Sequence, residues 1–521
     1  MPARLPVVVL IALAAIASPA VAQRTEAALP ADAAVTSNRF AAIVGDGIAL
    51  RVFLAEFPKG ADLHNHLSGA IYAESMLAWS AQKGGCIAEP DFSLVDGPCD
   101  APGRKPAAAA QTDPVLYRRV VDQLSMRGFV PTPAMPTGHD QFFATFDRFD
   151  LPTERLPDML VEVMRRNARQ NVFYLELMRS FGTGTAVRLA REVGPDDDFA
   201  ALEKKLADAG LYARVPGLIA ELDGVDAAVR QKLGCDGPTP EPACGVTVRF
   251  IGQVIRTMQP PEVFAQIAIS LALARADRRV VSVNPVAPED FYVARRDYTL
   301  HMRMFAHLNA RDPVPLAMHA GELRLGLVPP EDLTFHIRQA IEIAGAKRIG
   351  HGTGLAYETD VPGLLRLMAE RKIVIEVAPS SAEIILGVKR SDHPAQTYRR
   401  AGVPIVLNTD DEGVARSDLT NEYLRFVRDW GVRYPELRTL TRNALEYSFA
   451  DGESLWRDAS YRGFVEACAG ERPQAGEPKR EACQKFLAGS DKAREQWRHE
   501  ALLAAFERKM ARMPSAPLGL R

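Results

Sequence analysis

The sequence lacks the short motifs of nucleotide-binding loops and of thiolate metal clips, and it has no excess of charge. No G-x-G-x-x-G run, P-loop or C-x-x-C pair occurs among its 521 residues, and the formal net charge is -2. Without a Gly-rich loop, an open doubly wound sheet that binds a dinucleotide is disfavoured. Without a bulk positive field, the chain has no general attraction to nucleic acid or to an anionic membrane. A hydrophobic fraction of 47% indicates a globular protein, either one large domain with insertions or two domains.

Long apolar runs are also scarce, and the longest one lies at the N-terminus. Arg4 precedes an apolar run over Leu5–Ala17, and Ala20-Val21-Ala22 fits the small-x-small pattern of a cleavage site. The alternative is a membrane anchor, but the run is shorter than the ~20 residues that span a bilayer. We therefore predict a signal peptide over residues 1–22. After its cleavage, we expect a soluble protein in the periplasm or outside the cell.

The few cysteines fall into three close pairs. Each pair lies in a stretch rich in Gly, Pro, Glu and Asp, which is typical of loops. An even cysteine count and an oxidising compartment favour local disulfides, whereas zinc clips would need neighbouring histidines or C-x-x-C spacing. The predicted disulfides are Cys86–Cys99, Cys235–Cys244 and Cys468–Cys483.

Eight apolar runs of strand length alternate with stretches of helical periodicity. Continuous apolar strands separated by helices are typical of a parallel sheet that is buried on both faces. Eight such units predict an α/β fold, a closed (β/α)8 barrel of the TIM type, with an open sheet as the alternative. The predicted strands are Ala61–Leu67, Val172–Met178, Val246–Ile255, Val280–Val286, Pro315–Glu322, Arg348–Gly352, Ile373–Ser381 and Pro404–Asp411.

The remaining segments enlarge this barrel. We predict a helical lead-in over residues 23–57, the barrel over residues 58–450, and a helical C-terminal extension over residues 451–521. Insertions at about residues 80–140 and 181–245 interrupt the barrel. The first carries the low-complexity run Ala107–Ala110, and the second has helical character from Ala200 to Leu233. Whether these insertions shape the mouth of a pocket or an interface stays open.

Histidines and carboxylates recur at the carboxyl ends of the predicted strands. His64 and His66 stand two residues apart, and residues i and i+2 of a strand point to the same side. The complete set is His64 and His66 on the first strand, His319 and Glu322 on the fifth, His351 on the sixth, and Asp410 and Asp411 on the eighth.

Each of these patterns alone has an ordinary structural explanation. An H-x-H pair occurs on surfaces and in cores, an Asp-Asp pair caps helices, and Gly-His-Gly forms tight turns. All of them, however, map to the rim where barrel enzymes hold their chemistry, and this shared position favours a metal site.

Imidazoles and a carboxylate are the usual ligands of catalytic zinc, which keeps one position for water. Zinc lowers the pKa of that water toward ~7, so that hydroxide becomes available at neutral pH. We predict one Zn²⁺ per chain. Glu322, His351 and Asp411 remain for acid–base work and orientation. The predicted ligands are His64, His66, His319 and Asp410.

Together, these motifs resemble the adenosine deaminase family of the amidohydrolase superfamily, including its exported, growth-factor-like members. The resemblance extends over about residues 57–450 and implies a TIM-type barrel and a hydrolase that acts on the C–N bond of a cyclic amidine. The matching segments occur in the family's order and are Lys59–Ala70, Phe142–Phe146, Met318–Glu322, Arg348–Gly352, Ile375–Ser381, Leu407–Asp411 and Thr420–Tyr423.

The resemblance also implies a role for each rim residue. The four predicted ligands match the family's zinc ligands. Glu322 matches the acid that protonates purine N1, His351 the base or electrostatic partner of the attacking water, and Asp411 the residue that orients this water and contacts purine N7. Water attack at C6 gives a tetrahedral intermediate that loses ammonia. A carboxyl group that faces an apolar base has its pKa raised toward the protonated state.

Three positions depart from the family's pattern. Ser68 stands where members often carry a carboxylate that faces the ribose 5′ end, so we expect looser recognition of the sugar. Ala287, followed by Pro288, stands where the backbone N–H of a Gly meets purine N3. Ser381-Ala382 replaces the usual Ser-Asn after the seventh strand. Ser68, Ala287 and Asp411 are therefore the predicted substrate-binding residues.

We predict zinc-dependent deamination of adenosine or 2′-deoxyadenosine, for purine salvage outside the cytoplasm. The alternatives are a deaminase of adenine or of a modified adenine nucleotide, a metal hydrolase of phosphoester or amide bonds, and a purine-binding protein without catalysis. The hydrolases usually need a second metal bridged by a carboxylated lysine or a carboxylate, and no lysine ends a middle strand. A binding protein is expected to lack a ligand or the acid, and both are kept. The oligomeric state stays open, with a homodimer as one alternative.

Overall fold

The computed structural model describes residues 29–513. The predicted signal peptide lies outside these residues and stays a prediction. Within residues 29–513, no helix combines the length and the apolar character that a membrane crossing requires.

Eight parallel strands form the centre of the fold, and each of them coincides with a predicted strand. They are β1 and β5 to β11, whereas β2, β3 and β4 form a small antiparallel sheet in the first insertion. The strands are β1 (Gly60–His66), β2 (Cys86–Ala88), β3 (Ser93–Val95), β4 (Arg104–Pro106), β5 (Val172–Arg179), β6 (Thr247–Ile255), β7 (Val280–Val286), β8 (Ala317–Ala320), β9 (Arg348–His351), β10 (Val374–Val377) and β11 (Ile405–Leu407).

The eight strands pair as two four-stranded parallel sheets, β1-β5-β6-β7 and β8-β9-β10-β11, and two seams join these sheets. At one seam, His66 N donates to the Asp410 carbonyl at 3.0 Å, and Asp410 N donates to the His64 carbonyl at 2.9 Å. At the other seam, side chains accept the hydrogen bonds that a strand backbone would otherwise accept. Ala317 N donates to Ser282 Oγ at 2.9 Å, and His319 N donates to Asn284 Oδ1 at 3.0 Å. The predicted (β/α)8 barrel is confirmed.

Two strands end earlier than the apolar runs that predicted them. The predicted strand Ile373–Ser381 ends at Val377, because Pro379 occupies the first turn of a helix, where its fixed φ is favourable. The predicted strand Pro404–Asp411 ends at Leu407. Asp410 has a φ of 60°, which lies outside the extended region, so the chain turns there toward β1.

Helices cover the outside of the barrel and fill the segments between the strands. They are α1 (Ala31–Ile43), α2 (Gly47–Glu56), α3 (Ala73–Gln82), α4 (Pro114–Gln123), α5 (Gly138–Thr145), α6 (Leu156–Arg169), α7 (Thr183–Val193), α8 (Phe199–Asp208), α9 (Val215–Leu233), α10 (Pro260–Ala276), α11 (Tyr292–Arg296), α12 (Tyr298–Leu308), α13 (His336–Glu342), α14 (Val361–Arg371), α15 (Pro379–Leu386), α16 (Ala395–Arg400), α17 (Leu419–Trp430), α18 (Tyr434–Glu446), α19 (Glu481–Ala488) and α20 (Asp491–Arg512).

The helix α10 shows why the sequence around it is apolar on nearly all sides. It packs against β6 and β7 on its inner face and against α7 and α12 on its outer faces. Phe264, Ile267 and Leu271 are fully buried as a result. A helix that is apolar all round is a buried helix. Because α7 also packs in this layer, part of the predicted second insertion belongs to the barrel's helical shell.

The N-terminal helices and the C-terminal extension meet in one aromatic cluster beside the barrel. Phe53 lies 5.4 Å from Phe40 and 5.0 Å from Phe506, measured between ring centroids, and Phe57 lies 5.4 Å from Phe506. Tyr434 of α18 packs against the same rings. Tilted and edge-on aromatic pairs add ~0.5–1.5 kcal/mol each beyond their buried area. The two predicted terminal segments thus share a core with α18, and their division into separate units stays a prediction.

The three predicted disulfides, Cys86–Cys99, Cys235–Cys244 and Cys468–Cys483, are all present in the structure. The first holds the small sheet of the first insertion, the second closes the loop after α9, and the third holds α19 in the C-terminal extension. The pairing is local because each loop can fold back on itself without the three segments converging.

We expect these disulfides to differ in their order of reduction in the native protein. A thiolate must reach the sulfur to attack it, and Cys235 and Cys244 are half-exposed, whereas Cys468 and Cys483 are fully buried. With limiting reductant, alkylation and peptide mapping should therefore label Cys235 and Cys244 before Cys468 and Cys483. In denaturant, this order should disappear. Earlier labelling of Cys468 and Cys483 in the native protein would contradict the prediction.

Candidate active site

Three imidazoles and one carboxylate converge at the carboxyl end of the barrel. His66 Nε2 lies 3.2 Å from His319 Nε2, and Asp410 Oδ1 lies 3.4 Å from the Nε2 atoms of both His64 and His66. The four ligand-type atoms all lie within 4.8 Å of one another. The structure therefore brings together all four residues that the sequence predicted as metal ligands.

The other ring nitrogen of each histidine is already engaged, so Nε2 is the atom left for a metal. His64 Nδ1 pairs with Glu376 Oε2 at 2.7 Å, and His66 Nδ1 pairs with Gln253 Oε1 at 2.8 Å. His319 Nδ1 pairs with Asn284 Oδ1 at 2.7 Å. Such outer partners fix the ring orientation and the tautomer of metal-binding histidines. His64 Nε2 is fully buried and has no hydrogen-bond partner among the described residues.

The charges around these rings fit a bound cation. Burial disfavours a charge on His64, but Asp410 and Glu376 outweigh this effect and raise its pKa to about 10. Burial and the neighbouring imidazoles lower the pKa of His319 well below its usual value. A positive charge is therefore favoured next to the Asp410 carboxylate, but the imidazole rings cannot all carry one. Imidazole nitrogens with one carboxylate are a suitable ligand set for a divalent transition metal such as zinc.

A buried ionic network lies directly beneath the ligands. The Arg348 guanidinium donates to Glu376 Oε1 and to Glu176 Oε2, both at 2.5 Å, and lies 3.9 Å from the centroid of the Phe449 ring. Glu376 is the residue that holds His64. A buried charge is costly unless it is paired and hydrogen-bonded, and here β5, β9 and β10 each supply one member of the network. Removal of Arg348 would leave two buried carboxylates beneath His64.

Glu322 and His351 face each other beside the metal-type cluster. His351 Nε2 lies 3.6 Å from Glu322 Oε1 and 4.0 Å from Asp410 Oδ2. Both facing atoms, Glu322 Oε1 and His351 Nε2, are buried and lack a hydrogen-bond partner among residues 29–513. Burial, with the nearby Asp410 carboxylate, raises the pKa of Glu322 well above its usual value, and burial lowers the pKa of His351 to about 4. At neutral pH, the pair can therefore present a protonated acid and a neutral imidazole.

Asp411 completes this side of the site. Burial and the adjacent Asp410 raise the pKa of its carboxyl group, and its Oδ1 atom has no partner within the described part of the chain. The side chain lies so close to Gly69 that a Cβ atom there would be 1.6 Å from Asp411 Oδ1. Position 69 therefore requires glycine, because any larger residue would collide with the Asp411 side chain and displace it from the rim.

Three rim residues other than glycine have a positive φ. Ala287, His351 and Asp410 have φ values of 80°, 67° and 60°. This left-handed region is unfavourable for residues with a Cβ atom, and such strain persists only where the surroundings impose it, often at active sites. Ala287 stands where the family pattern has Gly, and Arg256 Nε holds its carbonyl at 2.9 Å.

The remaining predicted substrate-binding position is Ser68, which is half-buried on the loop after β1. Next to it, the Gly69 carbonyl accepts hydrogen bonds from Gly413 and Val414, at 2.9 and 3.0 Å. Val414 in turn packs in an apolar cluster with Phe142 of α5. The loop that carries Ser68 is thus tied to the loop that carries Asp411, and α5 covers this corner of the rim.

Sequence reasoning missed the residues that orient the ligands, namely Glu376, Gln253 and Asn284. One signal was present for Glu376, because a carboxylate interrupts the apolar run Val374-Ile375-Glu376-Val377 of a strand that is buried on both faces. Gln253 and Asn284 carry no such signal, because an uncharged amide in a strand is compatible with many environments.

We expect His64→Ala to lose its bound metal. Loss of an outer partner alone weakens metal affinity by ~10–100-fold, and loss of a ligand should cost more. His393→Ala is the matched control, because His393 is also buried but packs on Trp430 and is not among the residues that could hold a metal ion in the described part of the chain. Metal analysis of the purified proteins is the measurement. Equal metal content in His64→Ala and the wild type would remove His64 from the ligand set.

Comparison with known proteins agrees with this arrangement. The family model for adenosine deaminase matches residues 144–456, which include β5 to β11. An adenosine deaminase from Enterococcus faecalis is 34% identical over 137 residues, which cover 26% of this chain and 37% of the relative. An aminodeoxyfutalosine deaminase from Streptomyces coelicolor is 42% identical over 115 residues, which cover 22% of this chain and 29% of the relative. In these alignments, the chain spans well under two thirds of either relative.

Two solved structures share the fold. An amidohydrolase from Burkholderia ambifaria with bound Zn has a TM-score of 0.53 at 19% identity, over 88% of this chain and 95% of that chain. ADAL from Arabidopsis in complex with IMP has a TM-score of 0.50 at 17% identity, over 76% of this chain and 94% of that chain. The family model covers more than half of the sequence, and the rim residues within it follow the family's order, so the chain belongs to the adenosine deaminase family.

Proposed function

We propose that this protein is a zinc-dependent aminohydrolase that converts adenosine or 2′-deoxyadenosine to the corresponding inosine, with water consumed and ammonia released. One observation carries the proposal: the unpartnered, buried Glu322 Oε1 lies 3.6 Å from His351 Nε2, beside four converging metal-ligand atoms. A ligand set, an acid and a base in one buried place are the groups that hydrolytic deamination requires.

Glu322 is proposed as the general acid. Its raised pKa keeps a proton on the carboxyl group near neutral pH, and a protonated Oε1 can donate to a ring nitrogen of the substrate. Donation to purine N1 makes C6 more electrophilic. The charge that develops on the ring during attack at C6 is thereby neutralised, which is the effect expected of a positioned acid.

His351 and Asp411 are proposed to handle the attacking water and the far edge of the base. A neutral His351 can accept a proton from water through Nε2, and its pKa of about 4 keeps it unprotonated beforehand. Asp411, whose pKa is also raised, can donate to purine N7 through its unpartnered Oδ1. Two donors on opposite edges of the ring would orient C6 toward the ligand cluster.

One Zn²⁺ per chain is the proposed cofactor. The Nδ1 hydrogen bonds direct three Nε2 atoms to a single point beside Asp410, which suits one ion held by three imidazoles and one carboxylate. The related amidohydrolase structure was solved with bound Zn. When bound, zinc supplies Lewis acidity that makes water a nucleophile at neutral pH.

An apolar cluster lies beside the loop that carries Asp411, and it suits a flat base. Phe142 and Phe143 of α5 lie 5.2 Å apart, and with Leu327 and Ile385 they pack on Val414, in the loop that follows Asp411. Apolar walls with a few convergent polar groups are typical of small-molecule sites. Arg416, in the loop that follows Asp411, is paired with the Glu74 carboxylate and so is not left to bind a phosphate, which favours a neutral nucleoside as the substrate.

The proposed location is outside the cytoplasm, in the periplasm or the medium, where the enzyme would serve purine salvage. Three disulfides support this proposal, because such bonds form and persist in oxidising compartments.

Glu322→Gln should keep its zinc and lose ~10²–10⁴-fold in kcat, because glutamine is nearly isosteric but cannot supply the proton. Ammonia release from adenosine, together with metal analysis, is the measurement. Glu331→Gln is the control, because Glu331 is an exposed residue of the loop after β8 and should keep full activity. A Glu322→Gln enzyme within a few-fold of wild type would remove Glu322 from the mechanism. A zinc-loaded wild type that binds adenosine but releases no ammonia would favour a purine-binding protein instead.

A second candidate substrate is an adenosine derivative that is modified at the 5′ position. Ser68 supports it, because the half-buried hydroxyl replaces a charged group that would demand a free 5′-OH. We expect 5′-deoxyadenosine to retain kcat/KM within about ten-fold of adenosine, whereas removal of a hydroxyl that a buried group reads should lower kcat/KM by ~10²-fold or more. A loss of that size would show that another residue reads the 5′-OH.

A further inference from the structure

Glu289 holds the backbone of the loop that carries the proposed acid. It lies after β7 and is almost completely buried. Its Oε1 atom accepts a hydrogen bond from Gly321 N at 3.0 Å, and its Oε2 atom accepts one from Glu322 N at 2.8 Å. One carboxylate therefore binds two successive amides, and the second amide belongs to Glu322 itself.

The loop turns at a glycine, whose backbone is freer to rotate than that of any other residue, so contacts from outside the loop are needed to fix it. Gly321 has a φ of 71°, and a Cβ atom there would lie 2.8 Å from the Ile337 side chain. Among residues 29–513, the buried Oε1 atom of Glu322 has no hydrogen-bond partner that would fix the side chain. The direction of the Glu322 carboxyl group therefore depends on its backbone, and Glu289 binds the peptide groups on both sides of Gly321, the second of which leads into Glu322.

Glu289 is itself held by two basic side chains from other elements. His336 Nδ1 pairs with its Oε1 atom at 2.5 Å, and Arg256 Nη1 lies 3.9 Å from its Oε2 atom. Arg256 also donates to the carbonyls of Ala287 at 2.9 Å and His319 at 3.4 Å. Burial opposes the charge of Glu289, but His336, Arg256 and the Gly321 amide outweigh it and lower its pKa to about 2. The group is thus a carboxylate, an acceptor only, at physiological pH.

We infer that Glu289 is the positioning residue of Glu322: its two oxygens fix the amides of Gly321 and Glu322 and so aim the Glu322 carboxyl group at His351 and the substrate. This inference rests on the proposed function for its kinetic consequence. The geometric part, a two-point hold on the loop after β8, stands apart from any reaction.

The test is Glu289→Gln, in which one amide N–H₂ must face a backbone N–H. We expect zinc content to stay at the wild-type level, kcat for adenosine to fall by about 10²-fold and KM to change less than about three-fold, because a misplacement near 1 Å costs about that much. Hydrogen–deuterium exchange of a peptide spanning residues 319–325 should accelerate. Glu289→Asp keeps the charge but cannot reach both amides, so it should not restore kcat.

Glu358→Gln is the matched control. Glu358 is also a buried carboxylate that accepts a backbone hydrogen bond, from Ile337 N at 2.5 Å, but within residues 29–513 its hydrogen bond goes to the helix that packs on the loop and not to an amide of the loop. This variant should keep kcat per zinc and the exchange of residues 319–325. If Glu289→Gln does not fold, His336→Leu removes a partner of Glu289 without placing a donor against the loop, and it should lower kcat several-fold at constant KM.

Two results would overturn the inference. One is unchanged exchange at residues 319–325 in a folded Glu289→Gln protein, and the other is full kcat in Glu289→Asp. Failure of the proposed function is a separate result. In that case the zinc-loaded wild type releases no ammonia, while the exchange measurement still reports whether Glu289 holds the loop.

Discussion

The closure of the barrel at Asp410 is the interaction on which the site depends. Asp410 pairs through its backbone with His64 and His66, which joins the last strand to the first. The same residue turns its carboxylate toward the imidazoles of these two histidines. The seam that completes the fold therefore also assembles three of the four ligand-type residues. The fourth, His319, lies at the second seam, where Asn284 accepts both its backbone N–H and its ring Nδ1. The contacts that close the barrel therefore also place the ligand-type residues.

Buried polar groups beneath the rim hold the ligand-type residues through a chain of hydrogen bonds and ion pairs. Arg348 binds Glu376, Glu376 binds His64, and His64 lies against Asp410. Arg348 and Glu376 are paired, as members of a buried polar network must be, and within residues 29–513 only the Nε2 atom of His64 at the upper end of this chain lacks a hydrogen-bond partner. Backbone strain is found at the rim, where His351 and Asp410 adopt left-handed backbone conformations. The strain and the unpartnered atoms occur together at the place where the proposed chemistry would occur, whereas the network below them is satisfied.

The additions to the barrel differ in their relation to the site. The first insertion leads into α5, whose aromatic residues pack over the loop that carries Asp411, so it bears on the mouth of the site. The second insertion and the C-terminal extension pack on the outside of the barrel and are held by their own disulfides. The terminal helices join α18 through their shared aromatic cluster. Within residues 29–513, none of the side chains proposed to act in the reaction lies in these segments.

Much of this protein was determined by local sequence patterns. Eight apolar runs predicted the eight strands, because strands buried on both faces cannot alternate with polar residues. The rim residues were recognisable because each stands where a run ends, and the disulfides because short loops fold back on themselves. Only the tertiary structure decided which side chains orient the rim residues. Glu376, Gln253 and Asn284 act on histidines of other strands, and Glu289 acts on a loop one strand away. Such pairings arise from barrel register and curvature, which follow from the packing of all eight strands at once and leave no pattern within any single segment.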